Sequence, residues 1–224
     1  MTMDFIKIFK KKDISSFKQL LANNYNDNQV YDLSANKSYK NLSCINKSNL
    51  IESYTESAVL CLLVPNLINN SYNIILTVRS KNLKKHAGQV SFPGGKKDNT
   101  DKSYKECAFR EAKEEVGYDD RNNFFIGKLN KYITGSGFLI QPVVVVSDES
   151  IKLNINSKEV SKILYFPINQ LLFTNKIKKV FYSETNEILY YYELDWNGFR
   201  VWGATAKILI DLFNLMKKIE WYYD

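Results

Sequence analysis

The sequence has little of what builds a disulfide framework, a histidine-rich site or a membrane span. Its 224 residues include three cysteines, four prolines, nine glycines and one histidine. An odd number of widely spaced cysteines fits neither a disulfide framework nor a paired zinc site, and indicates a reducing compartment. No window approaches the roughly 18 unbroken apolar residues of a membrane-spanning helix. We therefore expect an intracellular, soluble protein, with the cytoplasm favoured and an organelle left open.

The charge balance is basic, with 31 Lys and Arg residues against 24 Asp and Glu residues and a net charge of +7. Such an excess suits a polyanionic partner, which could be nucleic acid, a membrane surface or a phosphorylated small molecule. Because Lys and Asn are abundant throughout the chain, background composition explains the excess better than a dedicated partner does. Charge alone therefore selects none of these partners.

The order of apolar segments predicts one elaborated domain of the α/β (α+β) class, with a mixed sheet flanked by helices. The first 55 residues are polar and Asn-rich, and their amphipathic stretch at 14–21 predicts a short helix. Two neighbouring apolar runs predict a hairpin of strands at 58–64 and 73–78. Further strands are predicted at 124–133, 138–146, 160–165, 179–182 and 188–194, a short helix at 167–173, and an amphipathic helix at 204–219.

A helix with signals at both ends is predicted to finish just before Gly117. Ser103 and Glu106 have the spacing of a capping box, and Thr100 and Asp101 are alternative caps. Gly117 supplies the C-terminal stop because glycine adopts the left-handed conformation without a steric penalty.

Three glutamates share one face of this helix. At about 100° per residue, Glu114 and Glu115 lie about 60° and 40° to either side of Glu111. Small and apolar residues form a separate stripe that can pack on a sheet: Ala108, Phe109, Ala112 and Val116. A solvated face is the usual explanation of such an acidic triplet, whereas a divalent metal would offset the repulsion between like charges one turn apart.

The tail of this helix, Arg110 to Gly117, resembles the Nudix box, whose second half reads Arg-Glu-x-x-Glu-Glu-x-Gly. The front half departs from the box: Asp101 stands where the box has Glu, and eight residues rather than seven precede Arg110. The resemblance implies a Nudix hydrolase, an α/β/α sandwich with a mixed β-sheet between helices, and Mg²⁺ or Mn²⁺ as cofactor. It divides the chain into an N-terminal extension, 1–55, partly helical and packed on the domain, and a Nudix hydrolase domain, 56–224.

A second motif lies immediately upstream. Residues 76–95 resemble the coenzyme A pyrophosphatase signature of the same family, matching at Arg79, Ser80, Gly88 and 92–95. Lys84 stands where that signature usually has Arg, so the charge is kept and bidentate phosphate recognition is lost. Further matches to this branch occur at 141–143, 159–160 and 202–206. The implied reaction is hydrolysis of the diphosphate of coenzyme A or its acyl esters, giving phosphopantetheine and adenosine 3′,5′-bisphosphate.

The resemblance also implies roles for individual residues. The expected metal ligands are Glu111, Glu114 and Glu115, which together with Arg110 form the predicted catalytic set. Arg110 is expected to pair with a box carboxylate and so position it. The expected substrate-binding residues are Arg79, Lys84, Gly94 and Gly95. The only histidine, His86, is expected to serve loop structure or substrate contact, because the box supplies its own carboxylates.

Three alternatives stay open on sequence grounds. The first is a Nudix enzyme for another nucleoside diphosphate derivative, such as ADP-ribose. The second is a non-catalytic Nudix module that binds RNA or a protein; the intact glutamates argue against it, and we do not expect nucleic acid as the partner. The third, a membrane-surface protein, rests only on the basic first twelve residues. The general base and the oligomeric state are left open.

Overall fold

The computed structural model describes residues 11–33, 37–39, 54–66, 68, 71–82, 86–121, 123–147, 151–172, 176–184 and 187–218. Three α-helices occur in these ranges: α1 at Lys11–Asn24, α2 at Tyr104–Val116 and α3 at Gly203–Lys217. A 3₁₀-helix spans Ile168–Leu172. None of the helices in the described ranges has both the length and the apolarity needed to cross a bilayer.

Thirteen strands accompany the helices in the described ranges. The first six are β1 at Val30–Asp32, β2 at Lys37–Tyr39, β3 at Thr55–Asn66, β4 at Ser71–Arg79, β5 at Val90–Ser91 and β6 at Gly94–Lys96. The next four are β7 at Asn123–Lys128, β8 at Lys131–Ile133, β9 at Phe138–Ser147 and β10 at Val160–Pro167. The last three are β11 at Ile177–Glu184, β12 at Glu187–Trp196 and β13 at Phe199–Trp202.

The larger sheet is mixed, as predicted. Its main path runs β10-β4-β3-β9-β8-β1-β2, with β5, β6 and β7 paired to β4, β3 and β9. The predicted hairpin of β3 and β4 is confirmed as an antiparallel pair, whereas β3 and β9 run parallel. β11, β12 and β13 form a second, antiparallel sheet of three strands, which the sequence did not predict as a separate unit.

Alternating burial along the central strands produces three layers. In β3, Cys61 and Leu63 face one core, and Leu60 and Leu62 face the other. The first core also contains buried residues of α1 and α3, whereas the second contains those of α2. Because successive side chains of a strand point to opposite faces, α2 lies on one side of the sheet and α1 and α3 on the other. The predicted α/β/α sandwich is confirmed.

The prediction of one continuous strand at 124–133 is wrong. β7 and β8 are separate strands that both pair antiparallel with β9. At the break, the buried amide of Gln141 donates to the carbonyl oxygen of Leu129 at 2.6 Å. The Leu129 N–H donates in turn to the carbonyl oxygen of Pro142. These two bonds lie where the pairing with β9 passes from β7 to β8. The apolar pattern of the sequence does not predict a break there.

Residues 11–33 contribute more than the predicted helix. That helix is confirmed as α1, whose Ile14, Phe17 and Leu21 are buried in the first core. β1 pairs parallel with β8 and so extends the main sheet. Three-residue strands such as β1 are too short to show a period in the sequence. The boundary near residue 55 stays a prediction.

Candidate active site

The acidic helix begins and ends where its terminal signals predicted. Ser103 caps it by accepting a hydrogen bond from the backbone N–H of Glu106 at 3.2 Å, and Gly117 closes it with φ of 67°. The capping box is displaced by one residue, because Glu106 accepts from the N–H of Lys102 rather than that of Ser103. Local hydrogen bonding therefore fixes where the acidic face starts.

The three glutamates of α2 lie at different depths. The apolar stripe packs on the sheet through Ala108, Ala112 and Val116, each fully buried. Glu115 borders this stripe and is only 3% exposed. The Glu114 side chain is 53% exposed. The acidic face therefore runs from the core to the solvent, and its innermost carboxylate belongs to Glu115.

Glu115 has few compensating partners for so deep a carboxylate. One oxygen accepts the backbone N–H of Gly94 at 3.2 Å, and the other lies 3.6 Å from Nη1 of Arg79. Burial is the main cause that raises the pKa of Glu115 to about 7, and the neighbouring charges of Glu111 and Glu159 act in the same direction. A cation bound beside Glu115 would offset the free-energy cost of burying its ionised carboxylate.

Arg110 is the hub that connects the carboxylates. Its Nε and Nη2 atoms donate to the two oxygens of Asp101 at 3.1 and 2.8 Å. Its Nη1 atom donates to Glu111 at 2.9 Å and to Glu114 at 3.2 Å. The hydrogen bonds from Arg110 are the largest cause that lowers the pKa of Asp101, which is 7% exposed. The structure thus gives Asp101, whose role the sequence left undefined, a defined partner.

Two glycines let the backbone approach the acidic helix. A Cβ atom on Gly95 would lie 2.3 Å from a carboxylate oxygen of Glu111. A Cβ atom on Gly94, whose φ is 155°, would lie 2.3 Å from the carbonyl oxygen of Ala58. The N–H of Gly94 also reaches Glu115. Only residues without a side chain fit between β3 and the glutamates.

Other candidate residues have mixed outcomes. Lys84 falls outside the described residues. His86 is exposed, has φ of 57°, and its ring nitrogen Nδ1 bonds to Gln89 at 2.9 Å, in line with a role in loop structure. Cys107 is fully buried, and burial raises the pKa of its thiol to about 12. A thiol so hard to ionise is a poor nucleophile.

Glu159 was missed as a site residue. It immediately precedes β10, and its backbone oxygen accepts the N–H of Ser80, beside Arg79. Burial is the main cause that raises the pKa of Glu111 and of Glu115, and the charge of Glu159 acts in the same direction on both. The sequence shows Glu159 only as part of a short family match, about 45 residues after α2, and nothing local marks it as a site residue.

The residues present fit a hard divalent cation. Glu111 offers carboxylate oxygens at the close approach of Gly95, where a Cβ atom would not fit, and Glu115 offers its own beside the N–H of Gly94. Within the described residues, no three Asp, Glu, His or Cys side chains already surround a common point. Mg²⁺ accepts such a site, because it retains several waters and binds through one or two carboxylates together with substrate phosphates.

Comparison with known proteins identifies the family of this chain. A family model described as the NUDIX domain matches residues 58–185. The chain is 35% identical over 151 residues to an uncharacterized Nudix hydrolase NudL of Pectobacterium atrosepticum, covering 67% of this chain and 78% of that protein. The NudL protein of Photorhabdus laumondii is 33% identical over 150 residues, or 67% and 80% of the two chains.

Among solved structures, a MutT/nudix family protein from Enterococcus faecalis matches with a TM-score of 0.49 and 13% identity, over 94% of this chain and 76% of that one. The match to the family model covers more than half of the 224 residues, and the curated relatives are matched over most of their own length. This chain therefore belongs to the Nudix hydrolase family.

Proposed function

We propose that this Nudix hydrolase cleaves the diphosphate of coenzyme A or its acyl esters, with Mg²⁺ or Mn²⁺ as cofactor. The observation that carries the substrate assignment is the position of Arg79, the first matching residue of the coenzyme A type segment. Its Nη1 atom lies 3.6 Å from Glu115, and its buried Nε atom has no hydrogen-bond partner among the residues that the structure describes. A buried donor without a partner is costly, so a phosphate oxygen is the acceptor that this arginine suits.

The coenzyme A type segment is anchored directly to the acidic site. The N–H of Arg79 donates to the carbonyl oxygen of Gln89, and the N–H of Gly88 donates back to the carbonyl oxygen of Arg79. Gly88 has φ of 73°, which favours glycine at this turn. The loop therefore starts and ends beside Arg79, and the rest of the substrate would contact residues of this loop.

The roles of the acidic residues follow from their positions. Glu111 and Glu115 would hold the divalent cation, with Glu114 as a further ligand or as the group that orients water. When bound, the cation polarises a phosphoryl oxygen and lowers the pKa of bound water. Arg110, fixed by Asp101, positions Glu111, and Gly94 and Gly95 let the backbone approach the acidic site closely.

The reaction is a hydrolysis that needs no other reactant. A water oxygen attacks one phosphorus atom of the diphosphate, and the bond from that phosphorus to the bridging oxygen breaks. One product gains the water oxygen, and the other departs with the bridging oxygen. From coenzyme A these products are phosphopantetheine and adenosine 3′,5′-bisphosphate.

A comparison of the kinetics on two substrates tests the proposal. With Mg²⁺ or Mn²⁺, kcat/KM on coenzyme A should exceed that on ADP-ribose, and Arg79→Gln should lower kcat/KM on coenzyme A by about tenfold or more. Arg121→Gln, which changes an arginine that is 85% exposed and lies outside this loop, is the matched control and should change little. Equal or reversed substrate preference would instead assign the enzyme to another nucleoside diphosphate derivative.

A further inference from the structure

A cavity lies on the face of the sheet opposite the acidic helix. Its volume is about 330 Å³, and it is bounded by the C-terminal end of α1, the junction of β7 and β8, and the second half of α3. Ligand pockets start at about 300 Å³, so the space suits a small organic molecule. The site described above uses α2, β4 and β6, whereas the cavity adjoins β1 and β8, which β3 and β9 separate from β4. The two places are therefore distinct.

The cavity presents two ammonium groups from different elements. Lys128 comes from the end of β7 and Lys218 from the residue after α3. Lys218 donates to the side-chain oxygen of Asn24 at 3.2 Å. The Lys128 ammonium lies 4.7 Å from the centre of the Tyr25 ring. Within the described residues, neither lysine forms an ion pair with a carboxylate.

In the part of the chain that the structure describes, the acidic groups near these lysines are already compensated. Asp211, in the cavity wall, accepts from Lys207 at 2.6 Å through both oxygens and from the hydroxyl of Tyr132 at 2.5 Å. Asp27 accepts from Lys131 at 2.9 Å and from the hydroxyl of Tyr25, beside Lys128, at 2.7 Å. The positive charge of Lys128 and Lys218 is thus available to a ligand.

We propose that this cavity binds a small organic phosphate through Lys128 and Lys218. A phosphate monoester carries about −1.5 to −2 charges at neutral pH, which matches two ammonium groups better than a single carboxylate does. Amide side chains in the wall, including those of Asn130 and Asn214, supply further hydrogen-bond donors. The tyrosine rings of Tyr25 and Tyr31 limit the space to a compact ligand. The site is separate from the hydrolytic one and does not depend on the substrate proposed above.

Calorimetric titration of the full chain with AMP in the presence of EDTA tests this site, because removing divalent metal suppresses phosphate binding at the acidic helix. AMP should bind, and adenosine, which lacks the phosphate, should bind at least about tenfold more weakly. The double variant Lys128→Gln and Lys218→Gln should weaken AMP binding by at least about tenfold. The double variant Lys152→Gln and Lys217→Gln, with the same change in charge, should leave it unchanged.

Three results would overturn the proposal. The first is no measurable binding of AMP to the unmodified chain, and the second is equal binding of AMP and adenosine. The third is AMP binding that is lost in Arg79→Gln but kept in the Lys128 and Lys218 double variant, since it would place the phosphate at the hydrolytic site. A double variant with arginine at both positions keeps the charge and should retain AMP binding if charge is what the ligand recognises.

Discussion

Two carboxylates on opposite faces of the sheet differ in how completely they are paired. Asp211 of α3 has a lysine and a tyrosine hydroxyl within 2.6 Å, and its side chain is 23% exposed. Glu115 of α2 is more deeply buried, yet it has one backbone donor at 3.2 Å and an arginine at 3.6 Å. Both helices, α2 and α3, are amphipathic, so the pattern of charged residues along the sequence does not distinguish the two carboxylates. A fully paired carboxylate stabilises the fold, whereas a buried and underpaired one is suited to binding a cation.

Glu115→Gln should lower turnover and spare stability, whereas Asp211→Asn should lower stability and spare turnover. The loss of turnover in Glu115→Gln is the largest effect we expect. Glu115→Gln should lower kcat by about 10³-fold, because a metal contributes several kcal/mol of transition-state stabilisation and each 1.36 kcal/mol is a factor of ten. Without metal, its free energy of unfolding should stay the same or rise, because a buried charge is removed. Asp211→Asn should keep kcat and lose about 1–3 kcal/mol of stability.

Steady-state kinetics with magnesium and chemical denaturation in EDTA give the two readouts for this pair. Normal turnover in Glu115→Gln would remove it from the metal site. An equal loss of stability in both variants would show that the two carboxylates serve the same structural purpose.

Gly95→Ala should give the next largest effect. The added methyl would meet the carboxylate of Glu111 at 2.3 Å, so this side chain must move away from the backbone. We expect kcat to fall by about 10²-fold, as misplacement of about 1 Å can do. The matched control is Gly127→Ala, whose methyl meets a side-chain carbon of Leu21 at 3.3 Å on the other face of the sheet. That variant should lose some stability and keep its turnover; full activity in Gly95→Ala would contradict the close approach as a requirement.

The sequence identified the parts of this site that depend on local pattern. The caps at Ser103 and Gly117 and the buried stripe of α2 follow from short-range rules, and the structure has them. Glu159 and the pairing of Asp101 with Arg110 depend on how distant or unusually spaced segments meet.

The same limit applies to the fold. The long strands β3, β4 and β9 were predicted from the sequence. β1 is too short to show a pattern, and the break at Leu129 depends on a bond from Gln141. Elements with a regular local pattern could be predicted from the sequence, whereas contacts between distant segments could not.

Asp101→Asn should have a smaller effect, because it weakens the support of Arg110 without removing a glutamate. We expect about a tenfold loss of kcat and on the order of 2 kcal/mol of stability, the usual worth of a hydrogen bond to a charged group. Asp98→Asn is the matched control, since Asp98 is 64% exposed and lies 3.9 Å from Arg110; it should cost less than about 0.5 kcal/mol.

The stability difference caused by Asp101→Asn should depend on pH in one direction. Arg110 lowers the pKa of Asp101 in the folded protein, so the carboxylate stabilises the fold fully above its ordinary pKa of about 3.9. That contribution is lost as the pH falls through the lowered value. Denaturation curves should therefore differ most near pH 7 and converge in acid. A difference that is unchanged in acid would mean that the charge of Asp101 contributes little.

Ser103→Ala should give the smallest effect, and it separates the formation of the acidic helix from the function of its last turn. The N–H of Glu106 would lose its acceptor, which costs about 1 kcal/mol at a helix N-cap. For a chain of this size, that cost lowers Tm by about 2–4 °C.

Turnover of Ser103→Ala at saturating metal should be unchanged. Glu111 and Glu115 lie two to three turns beyond the cap, and they are held by the sheet and by Arg110. Ser157→Ala, at an exposed turn, should shift neither Tm nor turnover. If Ser103→Ala lowered turnover while the helix stayed folded, the first turn would take part in the reaction, and the division of α2 into a structural start and a functional end would be wrong.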